Sequence, residues 1–295
     1  MPTLNIIGAG RVGRTLGRLI HTRELATVCV ALSTQRPNAR EAVEFIGAGA
    51  PVTAWSDVPP ADITLISTID GALGQAADAL LAAGAIAPNS VVFHCSGSKP
   101  ATVLAKLRGA GASIASVHPT KSFAEPQRAV RTFKGTYCGF DGDLAALNVL
   151  GPIFEALGAH VFSIRSEHKT LYHAAAVMVS NNVTAIIDCA LELYADAGVE
   201  QELAEKIISP IVQEASQLAL RLGCSSALTG PISRGDPSTV AAHLDALAPN
   251  PDVDAVYRAL GKRLVALSAE QGIAPNASLS AIRELLAPSE PPRGQ

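Results

Sequence analysis

Little in this chain points to a charged partner or a covalent staple. Its five cysteines, Cys29, Cys95, Cys138, Cys189 and Cys224, are dispersed with no C-x-x-C pair. That spacing excludes a disulfide framework and a zinc ribbon, leaves no metal site expected, and suits reduced thiols in a cytosol. Aromatic residues make up only 4% and charged residues 17% of the sequence, so the 48% hydrophobic content must pack through aliphatic side chains. A net charge of −3 gives no pull toward nucleic acid or an anionic membrane and leaves a small molecule as the expected ligand. Met1-Pro2-Thr3-Leu4-Asn5 runs straight into a strand pattern without the basic segment and apolar run of a signal peptide, so the expected location is cytoplasmic. The longest apolar stretch, Ala174 to Leu193, is interrupted by Ser180, Asn181, Asn182, Thr184 and Asp188, and reads as a core helix rather than a membrane span.

What is present is a change of rhythm. The first half alternates β-like runs near 3–8, 28–33, 62–68, 90–95 and 113–117 with helical stretches near 11–23, 38–49, 71–84 and 99–110. Alternation of this kind predicts an α/β fold with a parallel, doubly wound sheet. Runs at Gly135–Phe140 and His160–Ile164, flanking a helix from Asp143 to Leu157, bring the expected sheet to about seven strands. From Ser166 onward only helical patterns follow. The reading is a nucleotide-binding domain over 1–164, an all-α domain over 165–287 opened by one long helix near 166–197, and a disordered proline-rich tail over 288–295. Asp236 before Pro237, and Asp252, read as helix caps.

Gly8-Ala9-Gly10-Arg11-Val12-Gly13 follows the strand Leu4-Asn5-Ile6-Ile7 and opens the helical pattern Val12, Leu16, Leu19, Ile20. In this context G-x-G-x-x-G is a dinucleotide fingerprint: Gly8 for the turn, Gly10 for approach of the pyrophosphate, Gly13 for close helix packing. The second strand ends in Ser33-Thr34-Gln35-Arg36, where a site selective for NAD would carry a carboxylate. Ser33, Thr34 and Arg36 suit a 2′-phosphate, so NADP(H) is the expected cofactor; the plain alternative makes Arg36 a solvated surface residue. Thr68 and Ile69, at the end of the third run, border the cofactor in this reading.

Two more strand ends, His94-Cys95-Ser96-Gly97 and Ser116-Val117-His118-Pro119-Thr120, fall on the same side. Hydride transfer to a ketone or imine needs a proton donor and groups that steady the developing charge. Ser96, His118 and Thr120 are candidates for positioning, or simply turn residues. Lys169 and His173 lie four apart on one helical face, with Ser180 three turns along. Either can donate the proton, Lys169 with a pKa lowered by burial; otherwise Lys169 is solvated and His173 a core residue. Asn181 and Asn182 lie off that stripe but are polar enough to bond substrate. Leu228-Thr229-Gly230-Pro231-Ile232-Ser233-Arg234-Gly235-Asp236-Pro237 offers Arg234, with Ser233 beside it, as a clamp for a carboxylate.

The glycine loop, His94-Cys95-Ser96-Gly97, His118-Pro119, Tyr172-His173-Ala174-Ala175-Ala176 with Ser180-Asn181-Asn182, and the 228–236 turn together resemble the Rossmann-like plus DUF2520 family. More broadly the chain is similar to the 6-phosphogluconate dehydrogenase-like superfamily, which includes ketopantoate and pyrroline-5-carboxylate reductases and β-hydroxyacid dehydrogenases. The resemblance implies a homodimer formed through the helical domain, a small carboxylic acid bound between the domains, and a helix lysine acting on the substrate, matched here by Lys169. The asparagine those hydroxyacid enzymes carry four residues later is His173 in this chain. It also implies 2-dehydropantoate as the best-defined single acceptor, with a cyclic imine acid as the alternative and a non-catalytic NADP sensor as the rival class.

Overall fold

The computed structural model describes residues 1–287, so the expected disordered tail at 288–295 lies outside the described residues. The chain divides into two compact units, Met1–Ser180 and Asn181–Gln295.

The first unit is built on an eight-stranded sheet. Its strands are β1 (Thr3–Ile7), β2 (Thr27–Leu32), β3 (Ala50–Val52), β4 (Ala61–Ile66), β5 (Ile86–His94), β6 (Ser113–Pro119), β7 (Tyr137–Gly142) and β8 (His160–Ser163). They lie in the order β3-β2-β1-β4-β5-β6-β7-β8, all parallel to their neighbours except that β7 runs antiparallel to β6. An antiparallel strand added to a parallel sheet is common in doubly wound folds. Short β3 is absent from the sequence reading; its Ala50-Pro51-Val52 lacks a β-branched run, and Pro51 is tolerated because the strand sits at the edge.

Helices α1 (Arg11–Thr22), α2 (Arg36–Ile46), α3 (Leu73–Ala82), α4 (Pro126–Arg131) and α5 (Leu144–Ala156) connect the strands. The central strands are largely apolar where they face a helix layer, with Asn5, Thr64, His94 and Ser116 as buried polar exceptions. Leu4, Ile6, Leu65 and Phe93 pack with Leu16, Ile20, Ile46 and Phe154 on one face, while Ile7, Ile66 and Val92 pack with Leu73, Leu80 and Leu104 on the other. This two-sided burial is what buried parallel strands require. Gly17 lets α1 close on the sheet, since a Cβ there would stand 2.5 Å from Ile6 Cδ1. The stretch Ala101–Ala110, expected as an α-helix, is a 3-10 helix whose first N–H, that of Ala101, donates to Asp141 Oδ2 at 2.7 Å.

The long helix expected over 166–197 is a 3-10 turn followed by two helices, α6 (Lys169–Met178) and α7 (Asn181–Asp196). The break falls at Val179-Ser180, where the Ser180 hydroxyl donates to Ala176 O at 2.7 Å, a local bond that competes with helix continuation. The unit boundary lies at this break rather than at the change of pattern near 164, because Ser166 bonds Asp141 and Lys169 bonds Ser116. Both bonds tie residues 166–178 to the sheet. By length and composition Ser166–Asp196 is the one stretch among the described residues apolar enough to cross a membrane. The expectation of a core helix there is corrected: none of its most apolar window is buried, and α7 has no buried residue.

The second unit continues with α8 (Gln201–Leu222), α9 (Cys224–Ala227), α10 (Pro231–Arg234), α11 (Pro237–Leu247), α12 (Pro251–Gln271) and α13 (Asn276–Leu285). Its core joins Ile232, Val240, Leu244, Val265, Leu279, Ile282 and Leu286. Asp236 caps α11 as expected, accepting from Thr239 N at 3.0 Å, and the hydroxyls of Thr239 and Ser238 hold its carboxyl below the usual carboxylate range. The cap of α12 is Asn250, not Asp252; Asn250 Oδ1 accepts from Val253 N at 3.2 Å and Pro251 takes the first helical position.

Candidate active site

The carboxyl ends of β1, β2, β4, β5 and β6 carry Gly8, Ser33, Ser67-Thr68, Cys95-Ser96-Gly97 and Thr120, the edge where ligands bind in open parallel sheets. Gly8 has φ +104°, and a Cβ there would lie 2.8 Å from the Ser67 carbonyl carbon. A Cβ on Gly13 would meet Gly8 O and Ser67 Oγ at 2.4 Å, whereas one on Gly10 meets nothing within 4 Å. The loop is therefore sealed on its inner side and open at Gly10, where α1 starts without a side-chain cap. Arg11 is exposed and Val12 half-buried in the first turn. Ser33 is half-buried, and Thr34 and Arg36 are exposed where α2 begins. Thr68 Oγ1 is buried without a partner among the described residues, and Ile69 is 81% exposed.

Beyond these lies a polar cluster. Lys169, at the start of α6, has no exposed surface, and its Nζ donates to Ser116 Oγ. This removes the reading of Lys169 as a solvated residue. Burial lowers its pKa from 10.5 to about 8, while Asp141, Cys95 and Asp70 pull it back toward the charged form. Ser116 in turn donates to Ser96 O at 3.3 Å. Asp141, opposite Ser116 in the sheet, is buried with both oxygens engaged, one by Ala101 N–H and the other by the Ser166 hydroxyl.

Ser96 is a turn residue in this structure. Its hydroxyl donates to Asp70 Oδ2 at 2.7 Å and accepts from Lys99 N at 3.0 Å and Ser98 N at 3.3 Å, so its bonding capacity is filled internally. These bonds fit the turn reading of Ser96. His94 is fully buried: Ser96 N–H donates to Nδ1 at 3.1 Å, which fixes the other nitrogen as the donor to Pro100 O at 3.2 Å. Burial and then the Lys169 charge push its pKa down to about 4, in keeping with this neutral tautomer.

His118 Nδ1 lies 3.2 Å from Tyr172 Oη, which lies 2.6 Å from Thr120 Oγ1. The His118 ring packs edge-on against both Tyr172 and His173, with centroids 5.5 and 5.8 Å away. Its pKa also falls to about 4, through burial and then the charges of Lys169 and His173. Gly97 allows the imidazole pair to close down: a Cβ there would stand 2.3 Å from His173 Cδ2 and 2.8 Å from His118 Nε2.

The first unit thus brings His118 and His173 together over Gly97, with Lys169 sealed against Ser116 on the strand that carries His118. Ser180 is exposed at the end of that unit, and Asn181 opens α7 in the second. Ser233 is buried within the second unit, 2.7 Å from Gln271 Oε1 and 3.2 Å from Leu228 O, so it ties α10 to α12 instead of facing a ligand. Arg234 beside it is exposed. Sequence reasoning overlooked Ser116, Asp141, Asp70 and Tyr172. Two of them were marked by spacing: Ser116, His118 and Thr120 recur at every second residue of one strand face, and Tyr172 is three residues from Lys169 on one helix face.

Several solved structures share this fold. A Bacteroides fragilis protein described as an NADP oxidoreductase is 22% identical with a TM-score of 0.72, covering 92% of this chain and 97% of its own. A Thermotoga maritima protein is 24% identical with a TM-score of 0.70, covering 91% of this chain and 99% of its own. An imine reductase from Myxococcus stipitatus, solved with NADP+, is 18% identical with a TM-score of 0.60, covering 97% of this chain and 93% of its own. No curated protein matches the sequence. Residues 136–264 match the family model for the domain of unknown function DUF2520, a span that begins at β7 of the Rossmann-like sheet and runs into α12.

Proposed function

We propose that this chain is an NADP-dependent reductase of a small keto or imino acid. The observation that carries the reading is an open glycine cradle and a buried lysine beside two imidazoles, both at the carboxyl edge of one sheet. The cradle fits a dinucleotide. Gly10 leaves room where a pyrophosphate must approach the start of α1, and the unpartnered Thr68 Oγ1 is a polar atom awaiting a ligand. Gly8, Gly10, Arg11, Val12 and Gly13 would hold the pyrophosphate, Thr68 and Ile69 the adjoining ribose, and Ser33, Thr34 and Arg36 the 2′-phosphate. Bound there, NADPH supplies a hydride to the acceptor carbon.

The chain's own residues supply the remainder. Lys169 acts through its neighbours: sealed and bonded to Ser116, it keeps positive charge beside His118 and favours negative charge developing on the acceptor atom. His118 and His173 present imidazole edges above Gly97. Within the second unit, exposed Arg234 is the residue proposed to bind a carboxylate.

2-Dehydropantoate and pyrroline-5-carboxylate are the acceptors to test first. The second is favoured by neighbours of the same fold that are named imine reductases and pyrroline carboxylate reductases. A second copy of the chain is the proposed partner. In support, α7 buries nothing, and α8 exposes Leu203, Ile211, Leu220 and Leu222. A mass measurement in solution showing a monomer would remove the dimer.

The deciding experiment measures NADPH and NADH binding and then NADPH oxidation with each acid. Binding of NADPH over NADH, lost in Arg36→Ala, together with turnover of at least one acid, is expected. Binding without turnover of any acid would make the protein a sensor instead.

A further inference from the structure

Two neutral histidines end adjacent strands but are held in different ways. The partners of His94 are a backbone N–H and a carbonyl, neither of which can reverse its role, so its proton stays on Nε2. His118 Nδ1 meets a hydroxyl, Tyr172 Oη, and that hydroxyl meets another, Thr120 Oγ1. Each hydroxyl can donate or accept. The chain can run from Thr120 through Tyr172 into Nδ1, leaving the His118 proton on Nε2, or it can run the opposite way and leave Nε2 bare. Both directions make the same two hydrogen bonds, so reversal requires no heavy atom to move. Thr120 is exposed, while Nε2 faces Gly97 inside the cluster.

A neutral imidazole that gives up its Nε2 proton becomes an anion unless Nδ1 is reprotonated in the same event. We propose that Thr120, Tyr172 and His118 form a reversible hydroxyl–imidazole relay that carries a proton from solvent to the acceptor at His118 Nε2. In the forward step the N–H bond at Nε2 breaks as the acceptor takes the proton. In the same event Tyr172 gives its hydroxyl proton to Nδ1, Thr120 restores Tyr172, and water restores Thr120. After product leaves, Nε2 takes a proton from water and Nδ1 returns one through Tyr172 and Thr120. The net transfer is one proton from solvent to product, and His118 stays neutral throughout. Neutrality suits its surroundings, where Lys169 and His173 disfavour the imidazolium and Asp70 is the carboxylate that favours it. Tyr172 and Thr120 are positioning residues in this scheme. The substrate end of the relay rests on the reductase reading above.

The test is nitrogen NMR of the full chain labelled at histidine, without cofactor. His94 is expected as the pure Nε2–H tautomer in every sample, which also reports an intact fold. His118 is expected as an averaged mixture in the wild type. Thr120→Val leaves Nδ1 as the remaining acceptor for Tyr172, so His118 should move to the Nε2–H form; Thr120→Ser should restore the mixture. Tyr172→Phe should shift the balance by removing the partner of Nδ1, and serves if Thr120→Val disturbs His94. His118 signals unmoved in both variants, with His94 intact, would overturn the relay. With turnover in hand, Thr120→Val should lower kcat about tenfold, below the usual range for losing a general acid, and leave KM unchanged. Coupled spectra without turnover of any acid would sink the reductase reading and keep the relay. Turnover with uncoupled spectra would do the reverse.

Discussion

Replacing Lys169 with methionine should make the protein more stable at neutral pH. The side chain is fully buried, and its pKa falls from 10.5 to about 8, so the folded state disfavours the ammonium by roughly 2.5 units. At about 1.4 kcal/mol per unit this is about 3 kcal/mol of strain carried at pH 7. Methionine has similar length and no charge, but it gives up the bond to Ser116, worth about 1 kcal/mol. Ser116 keeps its bond to Ser96 O, so no buried hydroxyl is orphaned. The net gain is about 2 kcal/mol, or a rise in Tm of about 4–8 °C for a unit of this size. The pH dependence carries the sharper signature. The unfolded state holds the lysine proton up to about pH 10.5 and the folded state only up to about 8, so wild-type stability rises with pH between those values. Above that window both states are neutral, and the variant should fall about 1 kcal/mol below the wild type because it lacks the Ser116 bond. Thermal unfolding of both proteins from pH 7 to pH 11 reads the crossing directly. A variant less stable than the wild type at pH 7, or a gap constant across the series, would refute the argument. Turnover should fall in the same variant, the usual exchange between stability and a strained site.

The glycine loop separates fold from binding. Gly10→Ala should leave Tm unchanged and weaken NADPH at least about tenfold, while Gly13→Ala, whose Cβ lands 2.4 Å from Gly8 O, should lower Tm before binding can be measured; equal Tm losses in a melting series would contradict this. Gly97→Ala should cost about 1–3 kcal/mol by overpacking and should displace His173, because His118 is anchored by Tyr172. Unmoved His173 signals in a histidine NMR spectrum would count against that. Asn250→Ala should cost about 1 kcal/mol in urea unfolding of the helical unit, through loss of the α12 cap. No change in midpoint would show that the cap contributes nothing.

The sheet was legible in the sequence because buried parallel strands must be apolar on both faces, and Ile6-Ile7, Leu65-Ile66 and Val92-Phe93 advertise this directly. The edge strand at Ala50-Pro51-Val52 carries no such signal, since its pairing comes from β2 alongside and not from its own residues. The glycine loop was legible because Gly8 and Gly13 each answer a distinct steric demand of the fold, while Gly10 between them stands open. Lys169 and His173 were found by helical spacing, but that spacing could not show that Lys169 is sealed. Its burial depends on β6 and β7, far away in the chain, and on a serine that looks ordinary in the sequence. Ser96 and Ser233 illustrate a different limit. Each sits in a turn that looks chemical, and each has its hydroxyl engaged by neighbours visible only in the fold.

Lys169 and Asp141 are the two formally charged side chains that are buried among the described residues, and the way they are arranged favours a functional origin. A pair kept for structure alone would be expected to touch, because direct contact is what offsets the cost of removing both charges from water. Here no ion pair joins them among the described residues. Asp141 answers Ala101 N–H and the Ser166 hydroxyl, and Lys169 answers Ser116. Separation leaves the ammonium attracted but not neutralised, and its pKa near 8 keeps it mostly charged at pH 7 while making the charge costly. That cost sits beside His118, whose imidazole is held neutral by burial and then by the same charge. A direct Lys169–Asp141 contact would have relieved both effects together. In the proposed reductase, that retained positive charge stands at the strand edge where an anion would develop on the acceptor.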